Sequence, residues 1–535
     1  MEYYIINNAS RAASYGIGTY IRQLTLVLKN LPFLQIYFID LGAEVVEFSM
    51  VKDEDGLVHY KVPMASGRME NDKYCRMAYY LLSPYLPEDD PAIFHFNYFQ
   101  HYPFASLIKS RNIHHRVFLS VHYLNWCFEL NGNVLSFKKI VNAKTPEAKY
   151  RSIMRDFLQN KHFLHLADEI ITLSHFCKYL LLSDYEVSSD KVQIIYNGLQ
   201  EDTDQVDSTE VKNQLVLFVG RLDKIKGVDY LIDAFRLVLK RHGNASLVIV
   251  GDGDYDEYLK HCKGIRNNVI FTGKLSQDEL LGFYRQALIG VLPSFHEQCS
   301  YTAIEFMKHG IPFVGTDSTG LKEMLDCVPS LRVHISETNF SAKEFTTNIA
   351  NAICSLLDDE TARENASQIF VAQFKEKYTL KVMEGRLLEL INSQEFVTNP
   401  LSQDFLQELD EYMISLIHEK VDIDTDFYGM SGIGVYLWWR VESDQMQDEV
   451  KSFMIKEYLI YYLDWLYETA KAEQRNSCDV EIAVTLNKMR NAGFYKTIVD
   501  SLMKMFHCKY APETINQLSP FVILQNAMRM FTTKI

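Results

Sequence analysis

PSFHEQCSYTAIEFMKHGIPFVGTDSTGLKE, residues 293 to 323, follows the apolar run Ile289 to Leu292 and holds two glutamates, Glu297 and Glu305, separated by seven residues. The order is apolar strand, Pro-Ser turn, Glu, short helix, Gly310 and Pro312, then a second apolar run. It reads as one strand-helix-strand unit of a parallel α/β sheet. That unit places Glu297 at the carboxyl end of the first strand and Glu305 about two turns into the following segment, at the edge where open α/β sheets bind ligands. For an isolated pair of glutamates, two solvated helix charges would be the plain alternative. The surroundings decide between them.

Upstream, the runs at 214–220, 245–251, 268–273, 288–293 and 311–316 alternate with helix-length spacers. An earlier series does the same at 3–6, 34–40, 92–97, 116–122, 169–174 and 192–198. Strands spaced by helices imply βαβ units and parallel sheets. The polar stretch 200–213 between the two series reads as a linker. Beyond residue 396 the periodicity becomes helical, as in 405–421 and 448–473. The expected fold is therefore α/β: two tandem doubly wound domains, 1–200 and 201–395, with a cleft between them, and an all-helical extension, 396–535.

The chain has 535 residues, enough for several cores, and a formal net charge of -15, which argues against a general nucleic-acid binder. Nine cysteines are scattered without a C-x-x-C pair, the pattern of a reducing compartment. The amino terminus opens on a strand-like run without a basic leader, and Phe453 to Leu466 is interrupted by Lys456, Glu457 and Asp464. A cytoplasmic protein is expected, with peripheral contact at the inner face of the membrane left open.

Several constellations sit at expected strand ends. Gly220 and Arg221 end one strand, and Lys226 with Gly227 precede an amphipathic helix; two cations beside free helix N–H groups suit a diphosphate. Gly16, Gly18 and Thr19 open the first helix, where small residues let the backbone approach a phosphate or sugar, or simply make a tight turn. His122 ends a buried strand and would project into the cleft. His95 is expected to pack, whereas His101, amid aromatics, is open between packing and sugar stacking. In 422–429, DIDTDFYG, the calcium-loop reading fails, because Phe427 and Ile433 occupy the positions that need Gly and Glu.

Together, the Gly16–Gly18 turn, His122, Gly220–Arg221 with Lys226, and Glu297 with Glu305 resemble the retaining GT-B glycosyltransferases of family 4, over roughly residues 1 to 395. The resemblance implies two Rossmann-like domains and a metal-independent transfer of a hexose from a nucleotide-diphosphate sugar, with no further cofactor. It implies that Arg221 and Lys226 bind the donor diphosphate, Glu305 the ribose hydroxyls and Glu297 the transferred sugar. His122 would bond a donor-sugar hydroxyl. Backbone groups of Gly16 to Thr19, Gly220, Ser300 and Tyr301 would face phosphate, and Gly273 with Lys274 the base. His101 and Gly18 fall on the acceptor side, the acceptor being a carbohydrate, a lipid-linked sugar or a peptide. No protein nucleophile is implied. The family usually has Gly-Phe-Gly-Leu after the first Glu; here stand Gln298, Cys299, Ser300 and Tyr301, so side chains are expected to line a place that glycine leaves open. The run 426–440, with Gly429, Gly432 and Gly434, is similar to a turn-and-helix element of lanthionine-cyclase-like barrels. An inactive GT-B scaffold that recruits a peptide-modifying partner through the tail is the alternative.

Overall fold

The structure is a computed structural model that describes residues 1–8, 16–64, 69–88, 90–112, 114–143, 147–201, 214–392, 410, 412–414, 416–417, 430–442, 449–472, 480–492 and 494–506. The expected linker from 202 onward, the loop 422–429 and most of the expected helix 405–421 lie outside these residues. The chain divides into two compact units: Met1–Glu70, Pro91–Tyr102 and Arg116–Gln394 form one, and Asn71–Asp90, Pro103–His115 and Glu395–Ile535 the other.

The first unit holds two sheets. Strands β1 (Glu2–Asn8), β2 (Gln35–Ala43), β3 (Ser49–Lys52), β4 (Val58–Pro63), β5 (Ile93–Phe96), β6 (Arg116–Val121), β7 (Glu169–Thr172) and β8 (Val192–Ile194) make the first, in the order β3-β4-β2-β1-β5-β6-β7-β8. All its pairs are parallel except β3 with β4. Strands β9 (Leu215–Val219), β10 (Ser246–Val250), β11 (Val269–Gly273), β12 (Ile289–Leu292), β13 (Phe313–Thr316) and β14 (Arg332–Val333) form the second, wholly parallel, in the order β11-β10-β9-β12-β13-β14.

Parallel strands must be covered on both faces, which explains why β5, β6 and β12 are buried along their length and mostly apolar, with His95 in β5 and Arg116 and Ser120 in β6 as the exceptions. Strands β3, β4 and β14 were not legible in the sequence. The edge strand β3 is largely exposed, so it has no apolar run to betray it. The last helix of the second half, Leu380–Asn392, returns to the first: Asn30 Nδ2 donates to Glu384 Oε2 at 2.8 Å, and Arg116 Nη1 to the Ile391 carbonyl at 2.8 Å.

In the second unit, helices Met430–Glu442, Glu449–Ala472, Val480–Asn491 and Lys496–Met505 share a core that includes Leu437, Leu463, Leu486 and Leu502. Gly432 and Gly434 lie inside the first of these helices and not in a turn before it; Gly429 is outside the described residues. The reason at Gly434 is close approach, since a Cβ there would come within 2.1 Å of the Tyr462 ring. Among the described residues no helix is long and apolar enough to cross a membrane.

Candidate functional site

The strand ends of the second sheet carry the charged residues. After β9, Arg221 Nη1 pairs with Asp223 Oδ2 at 2.9 Å. The chain then makes a 3₁₀ turn, Lys224–Lys226, that closes on Gly227 with φ +63, where a Cβ would lie 2.4 Å from the Pro293 carbonyl. Only glycine combines that conformation with that proximity, and the result brings Lys226 against the loop after β12. Lys226 Nζ meets Glu297 Oε1 at 2.6 Å, and Ser294 Oγ donates to the same oxygen at 2.8 Å. Both partners of this ion pair are mostly buried. Lys226 and Glu297 are thus in direct contact, and each expected phosphate-binding cation has a carboxylate beside it.

Glu305 lies on the helix Tyr301–Lys308, which Ser300 caps by accepting from the Ala303 amide. The Tyr284 hydroxyl donates to Glu305 Oε2 at 2.6 Å. Burial raises the Glu305 carboxyl to about 7, while the Tyr284 bond and Lys308 oppose the rise. Gly273 ends β11 with φ +80, and its carbonyl accepts from the Gly251 amide at 3.0 Å; Lys274 follows it. Thr302 ties the start of the Glu305 helix to β9, its hydroxyl donating to the Val219 carbonyl at 3.1 Å.

The ends of β1, β5 and β6 carry neutral polar groups. His122 Nε2 bonds Asn97 Oδ1 at 3.0 Å, and its ring stands edge-on to Tyr20, centroids 4.5 Å apart. Burial lowers His122 to about 3, so the ring is neutral near neutral pH. His101 is buried, lowered to about 3 for the same reason, and paired through Nε2 with Asn8 Nδ2 at 3.0 Å. His95 packs, as expected, within a chain in which Tyr3 Oη meets His95 Nδ1 at 2.6 Å, His95 Nε2 meets Ser120 Oγ at 2.7 Å and Ser120 meets Tyr20 Oη at 2.8 Å. Gly16, Gly18 and Thr19 form the first turn of the helix Gly16–Lys29; Gly16 faces open space, and Thr19 Oγ1 accepts from Arg22 Nη2 at 2.9 Å.

The two halves of this unit meet around the altered loop. Ser174 Oγ donates to Gln298 Oε1 at 2.8 Å, and Asn197 Nδ2 to the Cys299 carbonyl at 2.7 Å. Glu323 accepts from the His175 amide at 2.9 Å. Gln298 therefore reaches for the first half, and Cys299 is buried, which corrects the expectation that their side chains line space left open by glycine. Arg221 stands close enough to Tyr123 to offset part of the upward shift that burial imposes on that phenol. Burial likewise raises the Tyr301 phenol, with Tyr20 adding to the rise and Arg22 opposing it. His296, beside Glu297, is buried and lowered to about 4 by burial, and neither ring nitrogen has a partner among the described residues. Asn97, beside His95 and His101 in the same sequence run, is the partner of His122, whereas Ser294, Tyr284, Tyr20, Thr319 and His296 joined the site only in the structure. Of these, only Ser294, in its Pro-Ser turn, had left a local signal.

Two α/β halves, one built on a mostly parallel and one on a wholly parallel sheet, form a GT-B fold. At 15% identity and TM-score 0.58, the chain superposes on a sucrose-phosphate synthase from Thermosynechococcus elongatus, covering 73% of this chain and 98% of that one. WaaG, a glycosyltransferase involved in lipopolysaccharide biosynthesis, gives TM-score 0.52 at 13% identity, over 74% and 100%. Residues 213–359 match the family described as Glycosyl transferases group 1. An uncharacterized glycosyltransferase of Methanocaldococcus jannaschii is 36% identical over 173 residues, 29% of this chain and 44% of its own length. The alpha-D-kanosaminyltransferase of Streptomyces kanamyceticus is 29% identical over 182 residues, 32% of this chain and 44% of its own. The chain thus spans less than half the length of these two relatives.

Proposed function

We propose that this protein is a retaining glycosyltransferase that moves a hexose from a nucleotide-diphosphate sugar to an acceptor hydroxyl without a metal. The contact between Lys226 and Glu297 at 2.6 Å, inside the segment that matches Glycosyl transferases group 1, carries this reading. Names of relatives point the same way, since two of them are glycosyltransferases by description.

Departure of a nucleoside diphosphate puts negative charge on the leaving oxygen, and preorganised cations in a site screened from water stabilise that charge strongly. Lys226 and Arg221 supply the cations. Their carboxylate partners, Glu297 and Asp223, hold them in place in the free protein, and Glu297 then accepts from a hydroxyl of the transferred sugar. Glu305 takes the ribose hydroxyls, for which its carboxylate is the required form. Neutral His122 bonds a donor-sugar hydroxyl, and His101 with Asn8 faces the acceptor, a carbohydrate, lipid-linked sugar or peptide hydroxyl. No side chain is assigned as nucleophile; the acceptor hydroxyl attacks on the face from which the diphosphate leaves, and its proton passes to the departing phosphate oxygen as the bond from that oxygen to the sugar breaks.

Incubation with a panel of UDP-, GDP- and ADP-sugars tests the reading through nucleotide release and melting temperature. At least one donor should raise the melting temperature and be slowly hydrolysed. If no donor does either, the reading is refuted.

A further inference from the structure

The turn after β13 grips the loop that carries Glu297. Thr319 Oγ1 accepts from the Glu297 amide at 3.0 Å and donates to the Glu297 carbonyl at 2.7 Å, while the Gly320 amide reaches the same carbonyl at 2.8 Å. Just before, the hydroxyls of Thr316 and Ser318 both donate to the Ser294 carbonyl, at 2.5 and 3.0 Å. Ser294 in turn donates to the Glu297 carboxylate. Gly320 presses so closely that a Cβ would lie 1.8 Å from the Gln298 carbonyl. The main chain of Glu297 is therefore held directly from this turn, and its carboxylate indirectly, through Ser294.

Thr319 has φ +41. A β-branched residue in the left-handed region is an outlier, and it persists only where the surroundings over-determine it. Glycine would adopt the same backbone without that strain. It has no hydroxyl, however, and the Thr319 hydroxyl satisfies both polar groups of the Glu297 peptide backbone at once. Ser318, the residue before the short helix Thr319–Met324, makes no side-chain cap there, so the Thr319 contact is not part of a helix cap.

We infer that Thr319 is a positioning residue, kept in a strained conformation because its hydroxyl sets Glu297 for the transferred sugar. This rests on the reading of Glu297 as the sugar contact. A residue that merely supports the loop would affect all ligands alike, whereas a residue that aims Glu297 affects the sugar far more than the nucleotide, which meets Glu297 only through Lys226.

The experiment compares Thr319→Gly, Thr319→Ser and the unchanged protein, using a donor sugar nucleotide found in the panel and the corresponding nucleoside diphosphate. Thr319→Gly should melt within about 2 °C of the unchanged protein or higher, because strain is relieved as the bonds are lost. It should bind the nucleoside diphosphate within about twofold, yet lose the extra affinity due to the sugar and at least about tenfold in kcat. Thr319→Ser, which keeps the hydroxyl, should hold every value within about threefold. The inference is overturned if Thr319→Gly keeps the kcat and sugar-nucleotide affinity of the unchanged protein, or if it weakens nucleoside diphosphate and sugar nucleotide in equal proportion. Should Thr319→Gly fold poorly, Thr319→Ala set against Thr319→Ser isolates the hydroxyl, and equal kinetics in that pair overturn the inference. If the unchanged protein binds no sugar nucleotide at all, the donor reading falls and this inference with it.

Discussion

Replacing Glu305 by Gln removes one titrating group while keeping its shape and its bond from Tyr284. Burial lifts this carboxyl from an ordinary 4.5 to about 7. In the unfolded chain the proton leaves near the lower value and in the folded protein near the higher one. Between them the folded state binds more protons, so stability falls as pH rises through this window and stays low above it. At about 1.4 kcal/mol for each tenfold change in proton affinity, the rise from 4.5 to about 7 amounts to about 3.5 kcal/mol. The Gln variant lacks this term. Its stability relative to the unchanged protein should therefore climb by up to about 3 kcal/mol from roughly pH 5 to pH 8. Urea unfolding of both proteins across that range measures the climb, and a difference that stays constant within about 0.5 kcal/mol refutes burial of this carboxyl as its cause. Donor binding gives a second reading of the same group. If Glu305 takes the ribose hydroxyls as proposed, its charged form is the better acceptor, so sugar-nucleotide affinity should rise as pH passes about 7 in the unchanged protein and stay flat in Glu305→Gln.

Two further substitutions test separate parts of the site. Lys226→Ala leaves the Glu297 carboxylate mostly buried with only the Ser294 hydroxyl on that oxygen; kcat/KM should fall by about 100-fold or more, and a loss under about tenfold in steady-state kinetics would place this cation away from the leaving group. Gly132→Ala introduces a Cβ 2.4 Å from the Phe295 carbonyl at φ +70, which should cost about 2 kcal/mol or more, and an unchanged melting temperature would show that the loop before His296 yields freely.

The strand-helix-strand unit and both strand series were legible in the sequence because buried parallel strands are predominantly apolar. The strands β3 and β14 escaped for the converse reason: one is exposed at an edge and the other is two residues long. The placement of Glu297, Glu305 and Lys226 was legible as well, since strand ends and helix starts are readable. What was not legible is the pairing. Lys226 and Glu297 are 71 positions apart, and nothing in either local stretch announces that they touch. Tyr284 and Thr319 look like ordinary residues of a helix and a turn; only the fold brings the first to Glu305 and the second to Glu297.

The altered loop from Gln298 to Tyr301 shows how one short stretch divides its duties. A glycine-rich loop leaves space and flexibility, and reads as a surface made only for the ligand. Here the Gln298 side chain is spent on Ser174, at the start of a helix in the first half, and Asn197 of that same half holds the Cys299 carbonyl. Immediately before them stands Glu297, fixed by Lys226, Ser294 and Thr319; immediately after them begins the helix that bears Glu305. Any movement of the first half against the second must therefore pull on the segment between the two glutamates. Loss of the Ser174–Gln298 bond would loosen that link without touching a charged group. On the proposed function, donor selectivity should depend on how these two halves are held as well as on the side chains that face the sugar.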